Sequence, residues 1–99
     1  MSPKKETFIT ITGVDRFMGI EALKPNQTLK LVKDIDNYYD DESIKVIGES
    51  GATYGYVANS VHSVARGSHS AGYIYETFEK EVDCKVLFVT NDIAIAQIL

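Results

Sequence analysis

The sequence lacks the features of secreted and membrane-spanning proteins. It contains a single cysteine, Cys84, so it cannot form an internal disulfide, which is typical of a reducing compartment. Its N-terminus has basic residues but no apolar stretch of the kind found in signal peptides, and no apolar run approaches the ~18–20 residues of a transmembrane helix. We therefore expect a cytoplasmic protein that does not associate with membranes.

Positive charge is also scarce. The chain has 10 Lys and Arg residues against 14 Asp and Glu residues, a formal net charge of −4 at pH 7. This balance argues against a general-purpose nucleic-acid binder, which relies on a basic surface. With 99 residues, the chain is long enough for one core and too short for an enzyme with a separate cofactor domain. We expect one domain over residues 1–99, with residues 1–6 as a disordered tail.

Motifs for catalysis and metal binding are missing. Two histidines, His62 and His69, could in principle join Cys84 in a nucleophilic site, but no Gly-x-Ser-x-Gly sequence is present. Cys84 lies in an apolar segment, where a thiol behaves as a small hydrophobic group. These three residues have no zinc-ligand spacing, and the sequence contains no phosphate-binding loop. We expect no enzymatic activity, no metal site and no cofactor.

Short segments rich in β-branched residues predict strands. Ile9 and Ile11 alternate with threonines, which is typical of a half-buried strand over residues 7–14. Similar patterns predict further strands over residues 28–33, 43–47, 53–57, 84–90 and 93–99. About six short strands at this spacing favour a mainly β fold (β-rich α+β), a small barrel of the OB or SH3 kind with one or two short helices.

The helical signals are weaker. Asn59 or Ser60 can cap a short helix that runs to about Arg66, where Gly67 ends it. Residues 77–82 are compatible with a helix or a turn, and residues 68–75 carry no clear signal.

The most unusual segment is residues 34–42, which contains five acidic residues, an asparagine and two adjacent tyrosines. Asp and Asn favour turns, so we expect a structured loop; it lacks the glycine and distal glutamate of a calcium-binding loop. Two interpretations remain open for residues 37–40. The tyrosines could cap the barrel, or they could stack on the bases of a single-stranded nucleic acid. In the second case a carboxylate, which repels phosphates, is useful only as an acceptor for a hydroxyl such as a terminal 3′-OH.

Three stretches of the sequence resemble the HIRAN domain family. They are GVDRFMG at residues 13–19, LKLVKDIDNYYDDESIKV at residues 29–46, and GYV at residues 55–57. The resemblance extends over roughly residues 7–99. It is to the stand-alone bacterial members rather than to those joined to helicase-like ATPases. It implies an OB-like barrel that captures the 3′-OH end of single-stranded DNA.

The resemblance also implies a set of binding residues. In the family an Asn, a Tyr and an Asp of one motif line the pocket, and these correspond to Asn37, Tyr39 and Asp40. Tyr39 would stack on a base, and Asp40 would accept a hydrogen bond from the terminal hydroxyl. The remaining positions of the implied site are Arg16, Phe17, Tyr56 and Asn59.

The sequence departs from the family pattern at three places. Tyr38 replaces the usual proline, Arg16 and Phe17 stand where DNA-binding members have two adjacent aromatics, and Asn59 stands where they have a basic residue. Loss of that cation removes a phosphate contact. The acidic balance and the apolar C-terminal strand leave an alternative open. In that alternative the barrel has lost DNA binding and serves as a protein-interaction or assembly module, with self-association.

Overall fold

Six antiparallel strands form a closed barrel in the computed structural model, which describes residues 6–36, 42–60 and 62–99. The strands follow the order β1-β4-β3-β2-β5-β6 around the barrel, and β6 pairs back with β1. Closure leaves none of these strands with an unpaired edge. The prediction of a small β-rich barrel is therefore confirmed. The strands are β1 (Phe8–Thr12), β2 (Thr28–Lys33), β3 (Ile44–Ile47), β4 (Thr53–Val57), β5 (Glu81–Val89) and β6 (Ala94–Ile98).

The alternation of side chains along the strands builds the core. Ile9 and Ile11 of β1 point into the barrel and are fully buried, as are Leu31 of β2, Val46 of β3 and Val86 of β5. Cys84 of β5 belongs to this interior. Burial raises the pKa of its thiol to about 12, as expected for a structural cysteine that behaves as a hydrophobic group.

The α-helix lies later in the chain than predicted. Residues 58–70 form a loop of turns in their described part, so the helix predicted from Asn59 or Ser60 to Arg66 is wrong. One reason is that the N–H of Ala65 donates to Oγ1 of Thr10 in β1, at 3.0 Å, instead of entering a helical ladder. The helix of the described chain, α1 (Ala71–Ile74), begins where the hydroxyl of Ser70 accepts the N–H of Tyr73.

The region after α1 is only partly as predicted. A 3₁₀ turn at Tyr75–Thr77 continues the helix, and β5 then begins at Glu81. β5 begins earlier than its apolar pattern indicates because Glu81 and Val82 pair with β2. The expected tail falls mainly on residues 1–5, which lie outside the described residues, so it stays a prediction. The described residues contain no helix that is both long enough and apolar enough to span a membrane.

The loop of residues 58–70 covers the outer face of β1. The carbonyl of Thr10 accepts the N–H of Ala58 at 2.8 Å, and its hydroxyl is 2.7 Å from the hydroxyl of Ser68. The N–H of His69 donates to the carbonyl of Phe8 at 2.7 Å. These contacts bury the side chain of Thr10 and fix the start of the loop, including Asn59, beside β4.

Candidate nucleic-acid interface

A tight turn after β1 presents Arg16 and Phe17 to solvent. Gly13 adopts a left-handed conformation with φ of 73°, which glycine tolerates without steric cost, and the chain then forms the 3₁₀ turn Val14–Arg16. Val14 is buried, and its carbonyl accepts the N–H groups of both Phe17 and Gly19 at 3.0 Å. With the turn anchored in this way, the aromatic ring is displayed at the surface, and Phe17 is 41% exposed.

The ring of Phe17 meets the ring of Tyr56, which lies on the outer face of β4. Their centroids are 6.0 Å apart and their planes make an angle of 43°. This separation is within the range of favourable aromatic pairs. Because Phe17 remains exposed, the two rings form one accessible aromatic surface.

Gly55 brings β1 and β4 close together beside this surface. A Cβ at this position would lie 2.6 Å from the carbonyl oxygen of Thr12 and 3.1 Å from Val14. Any side chain would therefore push the two strands apart, and with them the turn that carries Phe17. Glycine at residue 55 is the local reason why the two rings meet.

A shallow groove of about 370 Å³ lies next to the ring pair. Its lining is mainly polar, with hydroxyl and amide groups that can both donate and accept hydrogen bonds. Arg16 contributes positive charge among the described lining residues. The polar side chains of the lining include Arg16, Ser43, Tyr56, Asn59, Ser60 and Ser63.

Asn59 lines the groove, but its amide already has partners. Its Nδ2 donates to Oε1 of Glu42 at 3.3 Å, and its Oδ1 accepts the N–H of Gly72 in α1 at 2.8 Å. This asparagine therefore joins the groove to the helix and to Glu42, the last residue of the acidic segment. The arrangement is suited to holding the wall of the groove rather than to binding a phosphate.

The structure brings together the described members of the predicted site. Arg16, Tyr56 and Asn59 line one groove, and Phe17 packs against Tyr56. The other members, Asn37, Tyr39 and Asp40, lie outside the described residues, and their roles stay predictions. Two residues that come soon after these in the sequence lie at the groove. Glu42 contacts Asn59, and Ser43 is part of the lining.

Sequence reasoning missed the serines of the groove. Ser43 precedes β3, while Ser60 and Ser63 belong to the loop that was predicted to be helical. A serine in a loop carries little sequence signal, because Ser is common in turns for purely local reasons. These residues become candidates only once the fold places them beside Tyr56.

Other grooves on the barrel are larger but carry different chemistry. A groove of about 490 Å³ between β2, β3 and β5 is lined by three acids, Glu49, Glu81 and Asp83, against one lysine, Lys30, so its net charge would repel a phosphate backbone. Another, of about 510 Å³, is largely apolar and includes Phe88. Within the described ranges, no three His, Cys, Asp or Glu side chains come together as a candidate metal site.

Comparison with known proteins agrees with this fold. The crystal structure of the HIRAN domain of human HLTF is similar, with a TM-score of 0.68 and 19% sequence identity over 94% of this chain and 72% of that chain. A crystal structure of a protein from Lactobacillus plantarum has a TM-score of 0.59 and 14% identity over 95% of each chain. No curated protein matches the sequence. The family model of the HIRAN domain matches residues 4–87. The chain therefore belongs to the HIRAN domain family, which is known as a DNA-binding module.

Proposed function

We propose that this protein binds the 3′-OH end of single-stranded DNA, and that it does so as a binding module without catalytic activity of its own. The observation that carries the proposal is the exposed ring pair of Phe17 and Tyr56 at the edge of a polar groove. Membership of the HIRAN family, a DNA-binding family, supports the choice of ligand and of a binding role.

Stacking supplies the main attraction in this proposal. A base that stacks on an exposed aromatic ring contributes about 1–3 kcal/mol, whatever its identity. The exposed part of Phe17, backed by Tyr56, offers such a surface. Tyr39 of the family motif would supply a further ring. Together these rings would hold the last bases of a strand without reading their sequence.

Recognition of the strand end rests on a carboxylate. The protein has a net charge of −4, so it gains little from tracking a long phosphate backbone. A terminal 3′-OH carries no further phosphate and can donate a hydrogen bond. Asp40 would accept that bond, whereas a 3′-phosphate at the same place would meet like charge. The acidic character of the chain thus favours binding of an end over binding of an internal segment.

The cytoplasm is the compartment that we propose for this activity. The single cysteine, Cys84, is buried and unpaired, as expected in a reducing environment.

The proposal is tested with two oligonucleotides that differ only at the 3′ end. We expect the protein, at low salt, to bind a 5′-labelled strand with a free 3′-OH at least about tenfold more tightly than the same strand with a 3′-phosphate, since one charge-assisted hydrogen bond is replaced by repulsion. Fluorescence anisotropy measures both affinities. Asp40→Asn should reduce the discrimination, and Tyr39→Ala should weaken binding while Tyr39→Phe, which keeps the ring, preserves it.

Equal affinity for the free and blocked ends would overturn recognition of the end. Absence of binding to either strand, together with a stable dimer in light scattering that Tyr39→Ala leaves intact, would instead favour the alternative of an assembly module.

A further inference from the structure

The strand register places a lysine beside Tyr56. In the pairing of β1 with β4, Thr12 lies opposite Tyr56, and in the pairing of β3 with β4, Tyr56 lies opposite Lys45. Side chains of directly opposite residues share one face of a sheet, with Cβ atoms about 4.5–5.5 Å apart. Thr12, Tyr56 and Lys45 thus form one row across the outside of the barrel.

Lys45 points outward from β3 because both of its neighbours are core residues. Ile44 and Val46 are fully buried, while the side chain of Lys45 is 39% exposed. The ammonium group is therefore available at the surface, on the same face as the ring pair of Phe17 and Tyr56.

An acidic residue holds this ammonium group in the free protein. Nζ of Lys45 lies 3.7 Å from Oδ1 of Asp34, whose side chain is only 13% exposed. Asp34 is itself fixed, because its N–H donates to the carbonyl of Ser43 at 2.8 Å. At 3.7 Å the two charged groups attract each other without a short hydrogen bond. The ion pair is therefore loose and can be exchanged for a better one.

We propose that Lys45 binds a backbone phosphate next to the base stacked at Phe17 and Tyr56. This inference rests on the proposed nucleic-acid function. In this proposal the phosphate replaces Asp34 as the partner of the ammonium group, and no proton is transferred. The ammonium group of Lys45 stands on a flexible four-carbon chain in the same row as Tyr56, so it is able to reach a phosphate that flanks a base stacked there. Lys45 thus supplies a cation near the site. The family's basic residue is replaced in this chain by Asn59, which carries no charge.

The barrel offers a matched control on β5, away from Tyr56. Lys85 of β5 also points outward, because its neighbours Cys84 and Val86 are buried. In the order of strands around the barrel, β4, which carries Tyr56, and β5 are separated by two strands in either direction. Lys45→Gln and Lys85→Gln therefore remove the same charge from the same protein, one directly opposite Tyr56 in the strand register and the other away from it. Any difference between them reports on local contact rather than on net charge.

The experiment measures binding of a short single strand with a free 3′-OH to the full chain over a series of salt concentrations. We expect Lys45→Gln to weaken binding several-fold at low salt and to reduce the dependence of log K on log salt by about 0.7, the value for one phosphate of a single strand. Lys85→Gln should leave that slope unchanged. Asp34→Asn should tighten binding several-fold, and by less in a protein that also carries Lys45→Gln.

The outcomes separate this inference from the function on which it rests. If the unsubstituted protein binds and Lys45→Gln behaves as Lys85→Gln does, the phosphate contact is overturned and the proposed function stands. If Asp34→Asn fails to tighten binding, the exchange of partners is overturned. Absence of binding by the unsubstituted protein overturns both. Thermal unfolding of each variant checks that it is folded.

Discussion

Phe17 and Tyr56 meet at the surface with ring centroids 6.0 Å apart, although one belongs to the turn after β1 and the other to β4. The contact depends on the closure of the barrel at β1 and β4, because only that pairing brings the two segments together. An exposed aromatic contact of this kind buries less apolar surface than a core position would. Its chemistry is suited to a flat ligand that stacks on it.

The first prediction concerns the exposed ring. Phe17→Ala should weaken binding of a single strand by about 1–3 kcal/mol, because one stacking surface is lost. Phe88→Ala is the matched control, since Phe88 of β5 is 52% exposed and lies on another face. Anisotropy titrations measure both affinities. Equal losses in the two variants would contradict the placement of the site.

The second prediction concerns the approach of β1 to β4. Gly55→Ala should lower the free energy of unfolding by about 1–3 kcal/mol, because the added Cβ forces a buried strand pair apart. It should also weaken binding, since the turn carrying Phe17 moves with β1. Urea unfolding gives the stability, and Ser50→Ala in an exposed turn is the control, expected within about 0.5 kcal/mol of the unsubstituted protein. A neutral Gly55→Ala would show that the strands adjust freely.

The third prediction concerns the loop of residues 58–70. Thr10→Val keeps the shape of the side chain but removes the acceptor for the N–H of Ala65 and the partner of Ser68. We expect a loss of about 1–3 kcal/mol from the unpaired N–H group. Faster hydrogen exchange at Ala65 would show that the loop has loosened. Thr28→Val, at an exposed position of β2, should change neither quantity, and a similar effect there would argue against the role of Thr10.

The fourth prediction concerns pH. Burial raises the pKa of the Cys84 thiol from 9.0 to about 12, because the thiolate is poorly solvated inside the barrel. Above pH 9 the unfolded chain releases this proton while the folded chain keeps it. The free energy of unfolding should therefore fall as pH rises above this value, by up to about 1.4 kcal/mol per pH unit from this group.

Urea unfolding at about pH 8 and about pH 10 measures this fall. Cys84→Ala, although less stable throughout, should show a smaller fall over the same interval, since tyrosines and lysines still titrate but the thiol is gone. The same fall in both proteins would contradict the buried position of the thiol.

The strands could be predicted because the alternation that marks them is local. Ile9 and Ile11, for example, indicate the inward face of β1 before any partner is known. The loop after β4 could not be predicted in the same way. Its capping residues and apolar spacing favour a helix, but a hydroxyl from Thr10, distant in sequence, takes the N–H of Ala65. Helix α1 has only four residues, too few for a periodic pattern.

Only part of the site could be predicted, and that part came from the family resemblance rather than from local alternation. Arg16, Phe17, Tyr56 and Asn59 were assigned through the family resemblance, and the structure gathers them around one groove. The groove serines and Lys45 depend on strand register and loop placement, which no local pattern carries. The internal partners of Asn59, Glu42 and Gly72, are likewise set by the fold.

The central claim is tested most directly by locating the residues that a strand end contacts. Titration of the isotopically labelled chain with a short single strand bearing a free 3′-OH, followed by amide chemical shifts, reports this position. We predict that the largest changes fall on the turn of Arg16 and Phe17, on residues 37–40, on Lys45 and on Tyr56, and that the amides around Phe88 and Lys85 stay unchanged. Chemical-shift changes centred on Phe88 and Lys85, or no changes at all, would contradict a binding site beside Phe17 and Tyr56.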